Sequence, residues 1–361
     1  MTNHPISPGL WTLAWRRLRS DKVAMVSLAV VALFLTMLAL SSAGLIVADW
    51  EDEVALSYAP PSFVGADPLQ AAAAAQAQMN IEAPENAFDP LAEDIRALRS
   101  AQRRDAPLDM YGVTDPLAAD LAELDPSVAK AAVVKRDTLP FGADKWGHDI
   151  IKKTIKGGET SIVVGLVAAF LAVSLGTLFG ALAGYFGGVV DDLFNWFYSI
   201  FTSIPSILMI LTVAAVLQQK GVMTIVLILA LTGWTGPFRL IRAEYMKHKA
   251  REYVMAADAI GASHLRKMFS HIFPNVSHVA LVQMSILVVG FIKAEVILSF
   301  LGFGVPVGVV SWGSMLNEAQ NELILGKWWQ MTAAAIAMAT LVTAFSLFAD
   351  ALRDALDPKL K

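Results

Sequence analysis

Cysteine is missing from all 361 residues, which removes disulfides, zinc–thiolate sites and cysteine-bound iron–sulfur clusters from consideration. The pattern G-x4-G-K-[ST] is missing too, so the chain has no phosphate-cradling loop of its own. Six histidines, His4, His148, His248, His264, His271 and His278, lack H-E-x-x-H or any other metal-ligand spacing and read as loop or interface residues. With no Gly-x-Ser-x-Gly elbow either, nothing supports a hydrolase, and neither a catalytic residue, a cofactor nor a metal site is expected in this chain. Charge is scarce as well: 17% of residues are charged and 56% are hydrophobic, far from an average soluble domain.

The scarcity is local. Asp, Glu, Lys and Arg are absent from Val23–Val47, Thr160–Val190, Leu193–Gln219, Gly221–Phe238, Ile272–Ile292 and Gln330–Ala349. Each run reaches or approaches the ~20 residues that cross ~30 Å of hydrocarbon at 1.5 Å per residue. A helix apolar all round is a membrane span or the centre of a very large core, and six of them in this length leave no soluble option. The expected fold is an all-α polytopic membrane protein with six transmembrane helices and an extracytoplasmic insertion between the first two. The first run, at 25 residues, outruns the ~7–15 of a signal-peptide h-region and is read as a retained anchor.

Positive charge orients the spans. Arg16, Arg17, Arg19 and Lys22 place the 1–22 arm in the cytoplasm, ahead of a first helix at 23–48. Alternation puts 49–159 outside and the loop 243–275 inside, within a five-helix core spanning 160–350, and leaves the tail 351–361 inside. An independent check agrees: Arg239, Arg242, Lys247, Lys249, Arg251, Arg266 and Lys267 lie in the inner region, whereas the outer 302–329 loop holds only Lys327. Asp191 and Asp192 sit in an inner turn without a balancing cation. The outer segment carries 20 acidic against 11 basic side chains, so the chain's net −4 hides a +5 balance elsewhere.

Pro205 should kink the third span by removing a backbone hydrogen bond. Gly176, Gly180 and Gly184 recur every four residues and let a helix approach closely, either a sister helix in the same chain, the simpler reading, or a helix of another subunit. Trp328 and Trp329 suit an interfacial anchor at the last span. Within 49–159, Asp67-Pro68-Leu69, Asp89-Pro90-Leu91 and Asp115-Pro116-Leu117 each read as a helix start, giving short, weakly cored helices and loops.

Two places invite function. From Arg239 the chain is amphipathic, breaks at Gly261, restarts at Ser263 and stops at Pro274. Gly261 fits the left-handed position that ends a helix, and Ser263 the N-cap of a second short helix, His264–Ser270. The result is a two-helix elbow with Ala256, Ala257, Gly261 and Ala262 on a flat crown and Arg266, Lys267 and His271 on its flank. A flat crown suits close docking of a protein partner; a plain solvated connector would not need it. The second place is Lys293 and Glu295, in the outer half of the fifth span. Intramembrane charges face an interior or an aqueous cavity, so with Pro205 these two are candidates for a translocation path. One reading is an ion relay in a secondary transporter; the other is pairing across a subunit or lining a vestibule.

At these residues a family comes into view. Ala256-Ala257-x3-Gly261 with Pro274-Asn275 resembles the "EAA" loop of ABC-importer permeases, and Arg251-Glu252-Tyr253-Val254 resembles the dipeptide/oligopeptide/nickel branch. Gly142-x-Asp144-x-x-Gly147-x-Asp149, Ala294-Glu295-x-x-Leu298-Ser299-Phe300-Leu301-Gly302, Ser311-Trp312-Gly313 and Arg353-Asp354-Ala355-Leu356-Asp357-Pro358 look like further blocks of that branch. The resemblance covers the N-terminal span and residues 142–358. It implies a type I importer permease fold in a bacterial inner membrane, both termini cytoplasmic. Implied partners are a second homologous permease subunit, two ATP-binding-cassette ATPase subunits that bind ATP and Mg, and a periplasmic substrate-binding protein; the bilayer is the remaining partner, and no nucleic acid is expected. The ATPase-coupling residues implied are Glu252, Tyr253, Ala256, Ala257, Gly261, Ala262, Ser263, Arg266, His271, Pro274 and Asn275. Trp196 and Ser199 stand where that pattern has Arg and Asp, His148 where Arg is usual, and Lys293 where it is apolar. These differences, and a long 49–141 insertion that either docks the binding protein or covers the outer face, bear on substrate rather than mechanism.

Overall fold

A backbone surrounded by apolar side chains can satisfy its polar groups only within itself, and the described chain is helical for that reason. The computed structural model describes residues 10–66, 68, 135–217, 219, 221–306 and 308–356. The chain divides into two compact units, residues 1–51 with 150–361, and residues 52–149.

In the first unit the helices are α1 (Leu10–Ser20), α2 (Lys22–Ser42), α3 (Ile150–Phe186), α4 (Gly188–Thr202), α5 (Ser206–Leu217), α6 (Val222–Gly233), α7 (Thr235–Lys249), α8 (Glu252–Ala259), α9 (His264–Arg266), α10 (Phe273–Phe300), α11 (Trp312–Ile324) and α12 (Trp329–Leu356), with a π-helical turn Lys267–Ile272 joining α9 to α10. Asp21 starts α2, its carboxylate accepting from the Val23 and Ala24 amides at 2.8 and 3.2 Å. The helix ends at Ser42, short of the expected 48.

Four helical stretches are each long and apolar enough to cross a bilayer, namely α2, α3, α9 through α10, and α12; counting each bent pair, α4–α5 and α6–α7, as one span brings the total to six. Pro205 does more than kink: the α4–α5 axis turns by 85°. The 42° bend between α6 and α7 has a parallel cause, since Pro237 has no N–H to give the carbonyl four residues back.

Pro274 does not stop a helix, contrary to expectation. It sits in the first turn of α10, and helix continues from His264 to Phe300. The Phe273 amide bonds the Met268 carbonyl, five residues back, so the hydrogen-bond register slips just before the residue that lacks an amide hydrogen.

The glycine stripe of α3 works within the chain. A Cβ on Gly176 would lie 2.5 Å from the Trp234 carbonyl oxygen, on Gly180 2.8 Å from that of Phe238, and on Gly184 2.5 Å from that of Arg242, so α7 rests backbone-close on α3. Asp191, expected to lack a cation, has one: Arg242 Nε and a second guanidinium nitrogen reach its two carboxylate oxygens at 2.5 and 2.6 Å. Aromatic rings hold α4, with Phe194 5.0 Å from Phe179, Tyr198 5.6 Å from Phe238 and Phe201 5.5 Å from Trp234.

The expected outer loop 302–329 contains α11, opened by a reciprocal Ser311–Ser314 capping box. Lys153 of α3 is buried and reaches Glu318 of α11 at 2.7 Å. Of the two expected interface tryptophans, Trp328 is partly exposed and Trp329 is buried.

The second unit has a small apolar core of Ala55, Ala59, Leu139 and Ala143. Its described residues form isolated bridges, Ala55 with Arg136, Pro61 with Leu139 and Ala143 with Asp149. Buried Asp144 accepts from the Trp146 and His148 amides at 2.8 and 3.0 Å and faces His148 Nδ1 at 2.9 Å. Gly147 lies backbone-close, where a Cβ would sit 2.1 Å from the Ala55 carbonyl oxygen. The helix starts expected at 67–69, 89–91 and 115–117 lie outside the described residues, apart from Pro68.

Candidate functional site

The elbow is built by helix ends. Lys247, His248 and Lys249 close α7, where cations suit the carbonyl end, and Glu252 opens α8, where an anion suits the amide end. Gly261 takes φ +79°. Its amide bonds the Asp258 carbonyl at 2.9 Å and the Ala262 amide bonds the Ala257 carbonyl at 3.0 Å, the paired arrangement of a Schellman end. Ser263 Oγ then accepts from the Arg266 amide at 3.4 Å and opens α9.

Beneath this turn lies a core. Val254, Met268, Ile272 and Val276 are buried with Ala181, Tyr185, Ile241 and Tyr245, so the elbow packs on the ends of α3 and α7. Tyr245 Oη donates to the Met268 carbonyl at 3.2 Å, and Tyr185 Oη meets His264 Nδ1 at 2.9 Å. Lys267 is buried and pairs with Asp258, tying α8 to the π turn. That ammonium holds the Asp258 carboxyl below the usual carboxylate range.

The expected site residues divide. Glu252, Tyr253, Ala256, Gly261, Ser263, Arg266, Pro274 and Asn275 are exposed, Ala262 and His271 are half-buried, and Ala257 is buried. Ala257 is thus packing beneath the turn rather than part of a flat crown, and Lys267 is an internal tie rather than a flank charge. Tyr253 Oη meets His248 Nδ1 at 2.8 Å, and Asn275 Nδ2 donates to the His271 carbonyl at 2.8 Å. Sequence reasoning missed the apolar side chains the elbow leaves in solvent, Met255, Ile260, Leu265 and Phe269. Ile260 and Leu265, on either side of the Gly261 turn, were the signal: neither suits a solvated connector.

The path candidates part company. Glu295 is fully buried and accepts from Ser161 and Ser299 hydroxyls, each at 2.6 Å. Ser161 Oγ accepts in turn from the Trp312 amide at 3.2 Å, and Trp312 Nε1 donates to the Thr154 carbonyl at 2.9 Å. Gly158 and Gly313 leave room for this junction: their added Cβ atoms would lie 2.8 Å from the Trp312 ring and 2.5 Å from Ser299 Cβ. Glu295 is therefore a buried tie between α3 and α10. Lys293 and Pro205 are exposed. Among the described residues no three histidine or acidic side chains gather as a metal site.

This chain resembles known proteins over most of its length. The family model for binding-protein-dependent transport system inner membrane components matches residues 176–361. That for the N-terminal TM domain of oligopeptide transport permease C matches residues 9–61. Over 240 residues the chain is 33% identical to the dipeptide transport system permease protein DppC of Bacillus subtilis (strain 168), covering 65% of this chain and 75% of that one. It is 37% identical over 221 residues to the oligopeptide transport system permease protein OppC of the same organism, covering 61% and 72%. A solved chain from inward-facing MetNI methionine ABC transporter crystals overlays 57% of this chain and 96% of its own at 15% identity and a TM-score of 0.44, too loose to argue from.

Proposed function

The chain belongs to the binding-protein-dependent transport system inner membrane components, and from that premise we propose that it forms half of the translocation pore of an ATP-binding-cassette importer for peptides or related small solutes. It is a transport subunit, not an enzyme; ATP hydrolysis is the work of separate subunits. The pore's other half would be a second homologous permease subunit. Two ATPase subunits would engage the elbow from the cytoplasm, and a periplasmic binding protein would deliver solute to the opposite face. In this reading both termini are cytoplasmic and 49–159 is periplasmic. The peptide cargo rests on what the relatives' names say of those proteins.

One observation supports the coupling role most. The elbow is locked to the ends of α3 and α7 by its buried core, yet it leaves Met255, Ile260, Leu265 and Phe269 exposed. A rigid body with an apolar face can take a push from a docked partner and pass it to the spans. The ion-coupled alternative, which would use Glu295 and Lys293, is not supported: Glu295 is buried behind Ser161 and Ser299, and an exposed Lys293 alone is no relay.

Gly261→Val tests the coupling. A Cβ there meets no atom within 4 Å, so the main cost is backbone strain at φ +79°, about 1–2 kcal/mol for an L-residue in the left-handed region. Focused on the elbow, that strain should leave membrane insertion and assembly intact and cut ATP-driven peptide uptake by about tenfold. Wild-type uptake with normally coupled ATP hydrolysis in the variant would refute the assignment.

A further inference from the structure

One face of α10 is open toward both ends of the helix and interrupted between them by Val282, which is buried against α1, α2 and α12. Asn275, Val279, Ile286, Gly290, Lys293 and Ile297 fall within about 60° of one another at 3.6 residues per turn. All are exposed except Val279, which is half-buried. At its elbow end this face opens into a groove of about 810 Å³, which Leu240, Tyr253 and Gln283 also line. That volume lies within the ~300–1,000 Å³ range of small-molecule sites. Farther along, a Cβ on Gly290 would meet nothing within 4 Å, so space persists beside the helix. Lys293 follows, seven residues before the helix ends at Phe300.

Seven residues are about 10 Å of helix, and Lys293 comes directly after the charge-free run Ile272–Ile292, in the outer part of the span. Among the described residues it has neither an ion-pair nor a hydrogen-bond partner. A cation at that depth is costly against hydrocarbon and belongs on an aqueous cavity. The other residues of the helix face are apolar, small or neutral, and the remaining charges, Glu244, Lys247, Arg251 and Arg353, are gathered around the groove at the elbow end.

We infer that Lys293 is the carboxylate-recognising group of the translocation path, meeting the C-terminal carboxylate of a peptide as it moves along this face of α10. The inference rests on the peptide-importer reading above and adds the chemical group that is read. An ammonium suits the task. It makes a charge-assisted hydrogen bond to a carboxylate, yet as a single point charge it lacks the bidentate grip of a guanidinium, so solute is held briefly and released. A face otherwise made of Ile286, Gly290 and Ile297 makes no demand on the peptide's side chains.

The test uses the complete complex, reconstituted in proteoliposomes, with tri-alanine and its C-terminal amide as probes. Turnover is measured per loaded binding protein, so that selection by that protein cancels. Lys293→Met and Lys293→Gln should each slow tri-alanine by about tenfold or more, the loss of one hydrogen bond to a charged group, and leave the amide unchanged. Lys293→Arg should keep the preference. Equal slowing of both probes, no effect on either, or loss of the assembled complex in both neutral variants would overturn the inference, the last by assigning Lys293 to a subunit or headgroup contact. A wild-type complex that carries neither probe would overturn the peptide reading and this inference with it; one that carries both tests the lysine alone.

Discussion

Gly180 shows how little room single residues leave in this protein. A Cβ there would sit 2.8 Å from the Phe238 carbonyl oxygen and 3.0 Å from the Arg242 nitrogen, both backbone atoms that cannot swing away. Gly180→Leu should therefore push α7 off α3 and cost about 1–3 kcal/mol by overpacking, read as a lower melting temperature in detergent. Gly236→Ala is the control, because its Cβ would find Gln283 at 3.7 Å, an ordinary contact. Equal melting temperatures for the two variants would contradict the packing account. The recurrence at 176, 180 and 184 made this contact legible in the sequence, since only glycine at every fourth residue permits such an approach. Glu295 was not legible in the same way. A carboxylate in an apolar run signals function by default, and nothing local told that Ser161, 134 residues earlier, would supply its partner.

At the scale of elements, the elbow was read partly right. Its breaks followed from Gly261 and Ser263, whose conformational preferences are local. The burial of Ala257 and Lys267 depended on α3 and α7 folding beneath them, which no local pattern encodes. The tie between Asp258 and Lys267 has a pH signature. A carboxyl held low by its partner contributes stability above the ordinary carboxylate range and loses it only as pH falls through that depressed value. Elbow protection should therefore hold from neutrality down to mild acid. Asp258→Asn should loosen α8 already at neutral pH, seen as faster hydrogen exchange at the Ala262 amide, whose bond to the Ala257 carbonyl closes the turn. Unchanged protection in that variant would leave the ion pair without a part in holding the elbow.

Across the whole molecule, six charge-free runs announced a polytopic membrane protein, because length and apolarity suffice for that conclusion. What they could not announce was the path of each run. Two runs fold as bent pairs, and the steepest bend decides the topology. With 15 residues in α4 and 12 in α5, the arms are ~22 and ~18 Å long. Bent by 85° they reach about 30 Å end to end, matching the ~30 Å of hydrocarbon. The pair is thus long enough to cross, and the alternative is a re-entrant hairpin that returns to its starting face. Because the chain has no cysteine, single introduced cysteines report cleanly. Val189 and Ile260 are both exposed, as is Gln219 between α5 and α6. A membrane-impermeant maleimide should label Gln219→Cys in intact spheroplasts, and Val189→Cys and Ile260→Cys only after permeabilisation. Labelling of Gln219→Cys only after permeabilisation would make α4–α5 re-entrant. With five spans left, the elbow and the 1–22 arm would then lie on opposite faces, and the positive charge of one of them would have to face outward against the rule that oriented the chain.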